Sequence, residues 1–63
     1  MNWNKLPSVM TGGKDFFFTA YRNGNRYSVI WDRTQRAYAV RRNDMLLAFT
    51  STPKDGRKLA DRW

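Results

Sequence analysis

The side chains best equipped for chemistry in this chain are arginines, and they fall into two tight groups. Arg22 and Arg26 flank Asn23, Gly24 and Asn25, while Arg41 and Arg42 precede Asn43 and Asp44. A guanidinium is a planar fork of donors that fits phosphate and carboxylate bidentately and stacks on aromatic planes. Placed on two loop tips, such groups can follow a phosphate backbone. Arg36, Tyr38, Tyr21 and Phe17 extend the pattern, because rings interleaved with cations suit single-stranded nucleic acid: rings stack on bases while guanidinium groups neutralise phosphates.

Bond-making chemistry finds little support. The chain has neither His nor Cys, which removes the commonest general base, the commonest metal ligand and any thiolate site. Its acids are Asp15, Asp32, Asp44, Asp55 and Asp61, and none forms a recognisable pair of the kind glycoside hydrolysis uses. The hydroxyl residues have no His partner, and no phosphate-binding glycine loop or dinucleotide fingerprint occurs. The expectation is a non-enzymatic chain with no cofactor and no metal.

Charge points to the partner class. Twelve Lys and Arg oppose five Asp, a formal charge of +7 on 63 residues. That balance attracts polyanions over long range, so nucleic acid, DNA or RNA, is the expected partner. An acidic host protein docked on an apolar and basic face, or a homodimer, is the alternative. No apolar run approaches the length of a membrane span, and residues 1–13 lack the hydrophobic stretch of a signal peptide, so the default address is cytoplasmic with no membrane partner.

A chain this short supports one core. Residues 1–13, with Pro7 and Gly12-Gly13, read as an N-terminal arm, and residues 14–63 as a single small α+β domain. Within it, β-favouring stretches at 14–22, 26–32, 36–42 and 45–51 alternate with turn signals at Asn23-Gly24, at 32–35 and at Asn43-Asp44. The spacing predicts a four-stranded antiparallel β-meander. Thr52 as N-cap, Pro53 at the first helical position and Asp55 in the first turn predict a C-terminal helix running to Trp63. Its apolar stripe would be Gly56, Leu59, Ala60 and Trp63, packed on one sheet face.

A two-residue turn at Asn23-Gly24 and a three-residue loop after Asp32 sort the side chains into two faces. Phe16, Phe18, Ala20, Tyr27, Val29, Trp31, Ala37, Ala39, Leu46 and Ala48 fall on the helix side. Phe17, Tyr21, Arg26, Ile30, Arg36, Tyr38, Val40, Arg42, Leu47 and Phe49 fall on the open side. Trp3 in the arm is expected either to cap the open face or to engage a partner. In layout alone, residues 14–63 resemble the three-stranded arm-binding domains of phage-type integrases and the strand-and-helix repeats of purine-rich-element binding proteins. That likeness assigns no residue and does not decide function; the arginine tips and the aromatic sheet face lead to the expectation of a nucleic-acid-binding accessory or regulatory protein, of the kind phages and mobile elements carry.

Overall fold

The computed structural model describes residues 1–7 and 16–63. They form an antiparallel sheet of five strands in chain order, β1 (Asn4–Pro7), β2 (Phe16–Arg22), β3 (Asn25–Asp32), β4 (Ala37–Arg42) and β5 (Met45–Thr50), followed by helix α1 (Pro53–Asp61). The class is α+β as expected, with one strand more than the expected four. The added strand lies in the stretch read as an arm. Asn4, Lys5 and Pro7 carry no strand signal of their own, and β1 exists because β2 offers a ladder edge for it to pair with. Lys14 and Asp15, expected at the start of the first strand, lie outside the described residues, as does the Gly12-Gly13 pair.

Two tight turns set the register. Asn23 and Gly24 have φ of 53° and 78°, and Asn43 and Asp44 have φ of 49° and 72°. Left-handed backbone at both central positions is what a two-residue hairpin needs to match the right-handed twist of its strands. The first turn pairs Tyr21 with Arg26 and Phe18 with Val29, as the sequence indicates.

The connection after Asp32 differs. Asp32 pairs with Ala37, so the loop holds four residues rather than three. The Asp32 carboxylate accepts the Thr34 and Gln35 backbone N–H groups at 3.0 and 3.2 Å, and Arg36 closes the loop in left-handed backbone, φ 53°. One extra residue exchanges the two faces of β4. Tyr38, Val40 and Arg42, expected on the open side, lie on the helix side, opposite Trp31, Val29 and Tyr27. Ala37 and Ala39, expected beneath the helix, face the other way.

A bulge then restores the order. In β5 the pairs Arg41–Leu46 and Val40–Ala48 leave Leu47 as an extra residue. Ala48 stays on the helix side and Phe49 on the open side, as expected. Leu46 moves to the open side and Leu47 packs against the core, both opposite to expectation.

The core is small. Tyr27, Val29, Val40 and Ala60 are fully enclosed, and Trp3, Phe18, Tyr38, Leu47 and Leu59 pack around them. Trp3 therefore belongs to the helix side and does not cap the open face. The helix approaches closely because its sheet-facing residues are Gly56 and Ala60. A Cβ on Gly56 would lie 2.8 Å from Val29 Cγ1, 3.1 Å from Thr50 Oγ1 and 3.2 Å from Val40 Cγ2. Thr52 caps the helix, its Oγ1 accepting the Asp55 N–H at 3.1 Å, with Pro53 opening the first turn. The helix ends at Asp61, two residues short of expectation, and Trp63 is 56% exposed rather than an anchor. Ala60 is the last helix residue to face the sheet squarely, so nothing holds a further turn down.

Candidate nucleic-acid interface

The two arginine-bearing tips meet at one end of the sheet. The Asn43 N–H donates to the Arg26 carbonyl at 2.8 Å, extending the β3–β4 ladder by one rung. The return bond is unusual. Because Asn43 is left-handed, its side-chain Oδ1 takes the place of a backbone carbonyl and accepts the Arg26 N–H at 2.8 Å. Its Nδ2 donates to Asn25 Oδ1, also at 2.8 Å. Asn43 thus locks one tip against the other, fixing the relative positions of Arg22, Arg26, Arg41 and Arg42.

These four do not face the same way. Arg26 and Arg41 lie on the open side, in register with Tyr21 and with Ser28 and Leu46. Tyr21 beside them is 67% exposed. Asp44 tethers both cations: its carboxylate accepts from Arg26 at 2.9 Å and its backbone carbonyl from Arg41 at 3.4 Å. Such an exposed ion pair is weak and screened by salt, so a polyanion can displace it.

Arg22 and Arg42 turn to the helix side. Arg22 Nη1 donates to the Asp61 carbonyl at 2.9 Å, and Nη2 to the Ala60 carbonyl and the Tyr27 hydroxyl at 3.5 and 3.4 Å. Its guanidinium also lies over the Tyr27 ring, 5.3 Å from the centroid. A cation on the last carbonyls of a helix complements the dipole, which gives Arg22 a structural role that its place in the sequence does not suggest. Arg42 pairs with Tyr27 and Met45, and its Nε is buried.

The remaining expected residues separate from this group. Arg36 is exposed in the β3–β4 turn, at the opposite end of the sheet. Tyr38 packs edge-on to Trp31, with ring centroids 5.1 Å apart, on the helix side. Phe17 is half-buried on the open face.

Phe17 belongs to a row that crosses the sheet. Leu6 pairs with Phe17, Ile30 with Ala39 and Ala39 with Phe49, and one register step beyond Phe18–Val29 sets Phe17 beside Ile30. Leu6 and Phe49 at its two ends are exposed. Sequence reasoning missed Leu6 for want of β1. It also missed the lock, although Asn43 in one turn and Asn25 beside the other carried a usable signal: asparagine side chains bond backbone in turns.

Other cations lie on the helix side. Arg57 sits 4.3 Å from the centroid of Phe18, and Lys5 4.4 Å from that of Phe16. Among the described residues no cluster of three or more potential metal ligands occurs, and no helix is long and apolar enough to cross a membrane. Compared with known proteins, the chain finds no significant match among family models, curated sequences or solved structures. The layout likeness to integrase arm-binding domains therefore brings no family with it.

Proposed function

We propose that this chain is a non-catalytic polyanion-binding domain whose ligand is nucleic acid. One observation supports the reading above the rest: the Asn43 lock brings both arginine tips to a single end of the sheet, with the exposed Tyr21 ring beside Arg26. Arg26 and Arg41 supply the mobile cations, released from Asp44 on binding. Tyr21 offers a stacking surface for an unpaired base. Arg22 and Arg42 add positive potential from behind. The formal charge of +7 steers the encounter.

The test is a salt titration of oligonucleotide affinity. With about five phosphates neutralised on a duplex, log affinity falls against log salt with a slope near −4 to −5. Binding that ignores salt, or no binding at low salt, rejects the reading. The exposed ends of the apolar row, Leu6 and Phe49, favour a second reading in which the open face docks on an acidic protein. A nuclease-treated pull-down that retains one acidic protein in stoichiometric amount replaces the first reading with the second.

A further inference from the structure

We infer that the outer edge of β5 is a self-association site, at which two copies of this chain pair antiparallel to form one continuous sheet. The inference is independent of what the arginine end binds.

An open strand edge presents unpaired backbone donors and acceptors, and proteins that stay monomeric guard such edges with charge or proline. The two edges of this sheet differ sharply. β1 reads Asn-Lys-Leu-Pro, with Lys5 and Pro7 both acting as guards. β5 reads Met-Leu-Leu-Ala-Phe-Thr, without a charge, a proline or a glycine. Its Met45, Leu46 and Phe49 are 57, 44 and 42% exposed. The Leu47 bulge interrupts the ladder toward one end of β5 and leaves Ala48, Phe49 and Thr50 regular.

The occupant that fits is a second copy. A guarded β1 prevents head-to-tail growth from β5 onto the next β1, which leaves a closed two-fold pairing of β5 with itself. With the axis at Phe49, that ring stands opposite its own symmetry mate, and the apolar row from Leu6 to Phe49 continues unbroken into the second copy. Two-fold antiparallel pairing keeps both helices on one side and both open faces on the other. It also separates the like charges. With Leu47 bulged out, Asp44 at the arginine tip is about four ladder steps from the axis, so the two tips stand about 26 Å apart along the strands. That is several times the Debye length of about 8 Å at physiological salt. Parallel pairing would set the tips side by side.

A joint of one short strand pair is small, so association on the order of tens of micromolar is expected. Sedimentation of the full chain, free of nucleic acid and at raised salt, should show a monomer–dimer equilibrium. Phe49→Lys sets like charges face to face and should weaken it at least about tenfold. Phe49→Glu should behave alike on its own, and an equimolar mixture of the two variants should pair again. Leu6→Lys, at the guarded edge, should leave the equilibrium unchanged. If the variants misfold, amide exchange of the unaltered protein still decides: Ala48 to Thr50 should gain protection as concentration rises. A monomer at every concentration, open-ended growth, undiminished pairing of Phe49→Lys with itself, or protection gained elsewhere than β5 overturns the inference.

Discussion

Asn43 and Arg26 exchange two hydrogen bonds of 2.8 Å, one through backbone and one through the Asn43 side chain, and this exchange fuses two hairpins into a single rigid end. Asn43→Ala removes the side-chain bonds to Arg26 and Asn25 and sets a Cβ-bearing residue without local compensation at φ 49°. The expected loss is about 2 kcal/mol in denaturant unfolding. Asn43→Gly keeps the turn conformation and loses only the bonds, so it should fall between Ala and the parent. A glycine variant as stable as the parent would show that the lock carries no energy.

Gly56→Ala tests the opposite of helix propensity. In an exposed helix the change should stabilise by about 1 kcal/mol. Here the added methyl meets Val29 Cγ1 at 2.8 Å, and a β-branched neighbour cannot swing aside. Net destabilisation of about 1–3 kcal/mol is expected, seen as a lower melting temperature. Trimming Val29 to Ala in the same chain should make the Gly56 change less costly than it is alone, which a double-mutant cycle measures.

Arg22 and Tyr21 are sequence neighbours with separate tasks. Arg22→Ala should cost about 1–2 kcal/mol of stability, because the Ala60 and Asp61 carbonyls lose their cation. Tyr21→Ala should leave stability nearly unchanged and weaken single-stranded oligonucleotide binding by about 1–3 kcal/mol. Equilibrium unfolding and fluorescence titration of both variants separate the tasks. Equal behaviour in both assays would undo the division.

Asp44→Asn should strengthen polyanion binding. It removes the carboxylate that holds Arg26 and raises the net charge by one, while asparagine tolerates the φ of 72° at this position. The gain should be severalfold at low salt, shrinking as salt rises. An unchanged affinity at low salt would mean that Arg26 lies outside the interface.

Much of this architecture was readable from residue order because its signals are local. Asn23-Gly24 and Asn43-Asp44 turn where left-handed backbone is cheapest, and Thr52-Pro53 with Asp55 starts the helix where side chains can serve its free N–H groups. The faces of β4 were not readable. They depend on one residue of loop length, and the left-handed position that closes that loop is taken by Arg36, which carries no turn signature. β1 was invisible because Lys5 and Pro7 oppose strand formation in isolation, and only pairing with β2 overrides them. In the candidate site the grouping of the arginine tips was visible. Arg26 also lies on the open side with Tyr21, as expected; the other orientations were not readable, for Arg42 followed β4 to the other face and Arg22 sits on the helix terminus, which no spacing along β2 could indicate.

Leu47 has a consequence for how this chain can change length. The ladder already runs past it, with five residues of β4 matched to six of β5, so excising it would leave every flanking residue on its present side. Leu46 and Leu47 are identical neighbours, so losing either gives the same shortened chain, in which Ala48 stays on the helix side and Phe49 on the open side. Natural variants shortened by one residue in this hairpin should therefore carry one leucine where this chain has two, exchanging a core contact for a straighter margin.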